Sequence, residues 1–303
     1  MGCSQSCGCP DVPRIPEDYV DSVVYLYSSA EHGAPVAGSG VLVGVESSKI
    51  PGFWHVHVVT NAHLAKRAQV VRYNSRDGLQ ACEVTADLWA NHPEGWDVSV
   101  CALPLSVSLD DRVSWISKTS FITRKRMDEI PLRHGDELFM VSCYGGLPGD
   151  TDNEPITRLG TLAKRRPVSA LSEDGPQESF VGEMRSMPGH SGSPTFVYFH
   201  GTQPRLGADA QDVLPTPAIY LLGTDWGHPT EKWPVRRLKD DAQMDVYAVA
   251  NSGLAYIVPA WRIAEILDGD DLKQERRRAE KALAKERSAP PHTRSTAATP
   301  SPV

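Results

Sequence analysis

Pro188–Phe196 reads PGHSGSPTF: a serine held between glycines, a proline three positions later, then the start of an apolar run. Gly189 and Gly192 permit a backbone tight enough to turn amide N–H groups toward a point beside Ser191. Two other stretches give that serine company. Val58–Ala65, VVTNAHLA, is an apolar strand that ends in a polar turn presenting His63. Gly95–Leu103, GWDVSVCAL, opens an alternating strand with Asp97. Acyl transfer needs a nucleophilic oxygen, a base for its proton and a carboxylate that fixes the base's tautomer, and these three stretches supply one of each. Asp87 is the rival carboxylate, and Ser193 reads as a structural hydroxyl.

The 303 residues suit one large domain or two small ones, and 40% apolar residues allow a packed core. Lys and Arg number 31 against 38 Asp and Glu, a formal charge of −7, so no nucleic-acid partner is expected. About a dozen short runs stand between turn signals, among them Ser22–Ser28, Gly38–Val45, Glu137–Cys143 and Ala218–Thr224. That pattern predicts an all-β chain of two packed antiparallel β-barrels with a C-terminal helix. The boundaries expected are 1–17 for a flexible N-terminal segment, 18–115 and 116–268 for the barrels, and 269–303 for a charged helix and disordered tail. The second barrel carries the closing helix AWRIAEIL, Ala260–Leu267, whose apolar face is Trp261, Ile263, Ala264 and Leu267.

No apolar run is long enough to span a bilayer, and the N-terminus lacks a secretory pattern. Six cysteines in a chain without an export signal are expected to be reduced, which makes a cytoplasmic location the expectation. MGCSQS also fits a short acylation pattern, and acylation is left open. Cys3, Cys7 and Cys9 have no obvious fourth ligand. His55 and His57 read as outward-facing strand histidines, so neither metal nor cofactor is called for. Asp270–Ser288 favours helix but offers only Leu272, Ala279 and Leu283 as an apolar stripe. A solvated helix is expected there, with a protein partner for residues 270–288 as the other possibility, and removal of the tail should preserve the fold.

The order His63, Asp97, Ser191 resembles the chymotrypsin/trypsin superfamily. TNAH resembles its histidine turn, WDVSVCAL its aspartate strand and GHSGSP its serine loop, the last in a form similar to bacterial glutamyl endopeptidases and HtrA-type proteases. GSGVLVG (Gly38–Gly44), VSCYGGLPG (Val141–Gly149), GTDWG (Gly223–Gly227) and NSGLAYIVPAWRIAEIL (Asn251–Leu267) fall in family order, so the resemblance covers about residues 18–267. It implies a serine endopeptidase acting on protein or peptide substrates. Ser191 would be the nucleophile, His63 the general base and Asp97 its orienting carboxylate, with the amides of Gly189 and Ser191 as oxyanion hole. The alternative is a trypsin-fold binding or scaffold protein with a vestigial triad.

The resemblance also implies a substrate pocket built from Arg185 and from Asp225, Trp226 and Gly227. An uncompensated Arg185 would favour an acidic substrate side chain, an uncompensated Asp225 a basic one, and the two could instead neutralise each other. An uncharged or acidic preference is the expectation. His190 stands where trypsins carry the aspartate that receives a new N-terminus, so activation by that route is not expected.

Overall fold

The computed structural model describes residues 15–288, apart from 30, 32–33, 110–112, 131, 146–148, 150, 173–174 and 200–217. Cys3, Cys7, Cys9, the acylation pattern and the segment after 288 lie outside the described residues. Eight strands form the first sheet: β1 (Val23–Tyr27), β2 (Val36–Glu46), β3 (Trp54–Thr60), β4 (Val70–Ser75), β5 (Gly78–Glu83), β6 (Trp89–Asn91), β7 (Ser99–Ala102) and β8 (Ile116–Ser117). Their order is β5-β4-β1-β2-β3-β7-β6, with β8 parallel to β2. The edge strands β5 and β6 are consecutive in the chain, and one apolar cluster holds Val71, Tyr73 and Val84 beside Trp89 and Cys101. The sheet therefore wraps a single core.

The second unit contains β9 (Glu137–Ser142), β10 (Ile156–Ser172), β11 (Gly175–Glu183), β12 (Pro194–Phe199) and β13 (Ala218–Gly227). After β13 come β14 (Thr230–Arg236) and β15 (Gln243–Asn251), then β16 (Leu254–Pro259). Strands β10-β11-β16-β13-β12-β9 close a barrel, while among the described residues β14 and β15 pair only with each other. The chain is all-β in its body, as its patterning predicts.

Side-chain alternation explains how the two units meet. Along β1, Val23, Tyr25 and Tyr27 enter one apolar cluster while Val24 and Leu26 enter another. The first of these clusters is shared: Val41, Val43 and Val59 meet Phe139, Phe196, Leu221 and Val258 of the barrel. Phe139 and Phe196 stack there at 4.8 Å. Strands buried on both faces read as apolar runs rather than alternations, which is what VVYLY shows.

The helix Ala260–Leu267 closes this junction with Ile263, Ile266 and Leu267. Next to it, the helix Asp270–Ser288 corrects the expectation of a helix solvated on all sides. Leu272 and Leu283 are buried. The Glu280 carboxylate accepts the Ser47 hydroxyl at 2.6 Å and lies 3.4 Å from His55 Nε2. The stripe is used against this chain's own first sheet. His55 and His57 are correspondingly buried rather than outward-facing. Burial, with Arg276 adding to it, lowers the His57 pKa to about 3.

Candidate active site

His63 lies in a four-residue helix, Ala62–Ala65, that follows β3 through the extended residue Asn61. The Asp97 carboxylate meets it twice. Oδ2 lies 2.7 Å from His63 Nδ1, and Oδ1 accepts the His63 backbone N–H at 3.0 Å. An acceptor at Nδ1 puts the ring proton there and leaves the Nε2 lone pair free to take another. The main chain of Asp97 is held as firmly. Its carbonyl accepts from Asn61 Nδ2 at 3.0 Å, and its N–H donates to Gln177 Oε1 at 2.8 Å. Gln177 belongs to β11 and also reaches the Gly95 carbonyl at 3.4 Å, so the second unit positions a carboxylate of the first.

Ser191 sits in the loop between β11 and β12. Met187 O accepts the His190 N–H, and His190 O accepts the Ser193 N–H, both at 3.0 Å. Gly189 and Gly192 have φ of +95° and +83°, a region costly for other residues. At Gly192 a Cβ would also overlap the Ser39 carbonyl oxygen and the Thr60 hydroxyl. That close approach presses the loop onto the strands leading to His63. Ser39 is the hub of the contact: its N–H donates to Ser191 O at 2.9 Å, its carbonyl accepts from Thr60 Oγ1 at 2.7 Å, and its Oγ accepts the Cys143 N–H at 2.9 Å.

The amides around the serine divide in two. Those of His190, Gly192 and Ser193 are spent on carbonyls of this loop and of Asp225. Those of Gly189 and Ser191 have no acceptor among the described residues. No hydrogen bond joins Ser191 Oγ to His63; the serine loop is held against β2 and β3, the strand that leads to His63, by the Ser39 and Thr60 contacts. Such bonds tighten when substrate binds.

The four pocket residues separate. Arg185 is exposed, whereas Asp225 is fully buried, and no ion pair joins them, so the mutual neutralisation considered from sequence does not occur. Ser186 Oγ donates to Asp225 Oδ2 at 2.8 Å, and Oδ1 has no hydrogen-bond partner among the described residues. Burial raises the Asp225 pKa well above the usual carboxylate range, against the opposing Ser186 bond. Trp226 stacks on Tyr256 at 5.5 Å and donates to Ser179 Oγ at 2.8 Å. Gly227 ends β13 opposite Tyr256. His190 is buried and held neutral, its pKa lowered to about 4 by burial, with Arg158 and His228 nearby. Asp87 is exposed.

Three residues that hold the site escaped the sequence: Gln177, Ser39 and Ser186. Each acts through hydrogen bonds to groups distant in sequence rather than through a demanding residue type. Only the GSGVLVG run around Ser39 gave any signal.

No protein-family model matches the chain, and no curated protein matches its sequence. Among solved structures, it is similar to the MamO protease domain from Magnetospirillum magneticum, at 12% identity over 83% of this chain and 98% of that one, with a TM-score of 0.49. It is also similar to AlgW, an HtrA-type protease with a tripeptide, at 14% identity over 83% of this chain and 62% of that one, TM-score 0.44. A third is tobacco etch virus protease complexed with product, at 12% identity over 87% and 83%, TM-score 0.42. The strand pairing carries the fold assignment: two packed, mainly antiparallel β units, the second a closed barrel, with a C-terminal helix, the trypsin-like all-β architecture expected from the sequence. Within that fold, histidine and aspartate come from the first unit and serine from the second.

Proposed function

We propose that this protein is a serine endopeptidase that hydrolyses peptide bonds through an acyl-enzyme. Ser191 Oγ attacks the scissile carbonyl while His63 Nε2 takes its proton, and the imidazolium then gives that proton to the departing amine. Water repeats the sequence on the ester. Asp97 holds the imidazole by Nδ1 and stabilises its charged form. The oxyanion of each tetrahedral intermediate lies against the Gly189 and Ser191 amides. No metal or cofactor has a role in these steps.

One observation carries the reading: Asp97 grips His63 at both ring and backbone, while the loop packed on the strand pair leading to His63 holds Ser191 with two unspent amides, its own and that of Gly189. A binding scaffold has no use for that combination. A cytoplasmic, reducing setting is part of the proposal and rests on the cysteine reading of the sequence. Among the described residues no helix is long and apolar enough to cross a membrane. A fluorophosphonate probe tests the proposal. Labelling of wild type that is lost in Ser191→Ala is expected; equal labelling of both, or of neither, would overturn it.

A further inference from the structure

Between β6 and β7 the chain turns through residues 92–97, and the side chains of that turn lean on the helix Ala260–Leu267. His92 Nδ1 accepts the Glu94 N–H at 3.2 Å, which puts the ring proton on Nε2. That nitrogen lies 2.7 Å from Glu265 Oε2. Glu94 Oε2 takes two donors, Trp96 Nε1 at 3.0 Å and Arg262 Nη1 at 3.3 Å. The Arg262 guanidinium also lies over the Trp96 ring, 4.4 Å from its centroid. Trp96 is thus gripped by a carboxylate at its ring nitrogen and by a cation over its face. The next residue is Asp97.

Arg262 is the centre of this arrangement. Its side chain is 10% exposed, and besides Glu94 it pairs with Glu178 and Glu265, both at 2.8 Å. A planar fork with five N–H donors can serve three carboxylates and still offer its face to an indole, which a lysine ammonium cannot. Helical spacing brings Arg262 and Glu265 to one face, and β11 supplies Glu178. One position earlier on β11, Gln177 holds the Asp97 N–H and reaches the Gly95 carbonyl. The helix and β11 therefore hold the same turn. Stability alone does not ask for such a cluster. The Glu94 side chain is 64% exposed, where an ion pair is worth at most about 1 kcal/mol. Buried ion pairs, for their part, are no more stabilising than apolar packing of the same volume. What the cluster supplies is a fixed direction for the turn.

We propose that Arg262, together with Glu94 and Trp96, is a positioning clamp for the Asp97 carboxylate, through which the helix Ala260–Leu267 keeps both oxygens on His63. The clamp fixes the residue before Asp97, while Gln177 and Asn61 fix the main chain of Asp97 itself. A shift of the carboxylate by about 1 Å, which the clamp prevents, is enough to cost on the order of 100-fold in rate. The inference rests on the endopeptidase reading for what the clamp serves. Arg262, Glu94 and Trp96 act through Asp97 and are positioning residues.

The test is steady-state kinetics on a peptide amide with Arg262→Met, Glu94→Ala and Glu94→Gln, each made alone and together with Asp97→Asn. Arg262→Met is expected to lower kcat by about 10- to 100-fold, with KM changed less than about twofold. Glu94→Ala, at an exposed position, should lower kcat by about three- to tenfold and carries the test should Arg262→Met fail to fold. Glu94→Gln keeps an acceptor for Trp96 and Arg262 and should recover most of that loss. Because the clamp works through the Asp97 carboxylate, the losses should shrink to less than about twofold when residue 97 is asparagine. Losses that persist undiminished in that background, or that fall on KM, would overturn the clamp. A second readout needs no turnover. In Ser191→Ala protein carrying isotope-labelled histidine, the His63 Nδ1 proton held by Asp97 gives a far-downfield NMR signal. Glu94→Ala should broaden it through faster exchange with water, and Glu94→Gln should leave it sharp. An equally sharp signal in all three would overturn the clamp. Broadening by Glu94→Ala in a protein whose wild type hydrolyses no peptide would keep the clamp and overturn the endopeptidase.

Discussion

Two aspartates, one in each unit, are treated in opposite ways. Asp97, on the first unit, has each carboxylate oxygen on a His63 donor, its N–H on Gln177 and its carbonyl on Asn61. Asp225, beneath the serine loop, receives one hydroxyl, meets no cation and leaves Oδ1 unmatched. Donors aimed at both oxygens make the first a fixed acceptor for an imidazolium. Burial, opposed only by the Ser186 hydroxyl, raises the pKa of the second well above the usual carboxylate range. Sequence weighs them alike, as an aspartate beside a tryptophan in WDV and DWG. Their roles are set by what folds around them.

The largest effect that can break this contrast lies in turnover. Ser191→Ala and His63→Ala should each lower kcat by about 10⁴ or more, and Asp97→Asn by a similar factor, since an amide at that place holds the wrong tautomer. Asp225→Asn should cost less than about fivefold on the same peptide. Steady-state kinetics on the four variants decides it. A loss at Asp225 comparable with that at Asp97 would mean that both act on the imidazole.

The His63–Asp97 pair and the Ser191 loop were legible because residues of particular types stand at turns, with glycines where the backbone folds tightly. Both β units were legible through runs such as SVVYLYS. The β14–β15 hairpin was not: in MDVYAVA apolar residues fall on both faces, so no single buried face shows, and Pro234 argues against a strand. The C-terminal helix misled for a related reason. Three apolar residues look too few, but Glu280 docks through Ser47 and His55, partners more than 200 positions away. Burial of Leu272 and Leu283 is worth roughly 3–5 kcal/mol. Deleting residues 270–303 should therefore lower Tm on the order of 10 °C in a thermal scan. An unchanged Tm would return the helix to solvent.

Gln177 sharpens the comparison because it is the means by which the second unit reaches Asp97. Gln177→Ala should reduce kcat/KM by about 10- to 100-fold, an order of 1.4–2.7 kcal/mol, with Tm lowered by only a few degrees. The loss should fall on kcat rather than KM, and Gln177→Glu should restore part of it by keeping the acceptor for the Asp97 N–H. An Ala variant that loses activity only in proportion to folded protein would make Gln177 a packing residue.

The smallest effect concerns pH, where the Asp225 environment opposes that of the buried histidines. His57 has a folded pKa of about 3 and His190 of about 4, both below the ordinary 6.5. As pH falls below about 6.5 the unfolded chain takes protons that the fold refuses, so stability is lost down to those folded values. Asp225 runs the other way. Its folded pKa is raised, so its contribution is fully present below the ordinary 3.8 and is lost as pH rises toward the folded value. Each group has a slope of at most about 1.4 kcal/mol per pH unit, and between pH 4 and 6.5 the signs are opposite. Asp225→Asn removes one side of this balance. The variant should be more stable than wild type at pH 8 by a few degrees in Tm, with the advantage shrinking on acidification, so that its melting temperature falls more steeply from pH 6.5 to 4. A Tm difference that stays constant across this range would mean that Asp225 is ionised in the fold, held by a donor to Oδ1 and therefore of the same kind as Asp97.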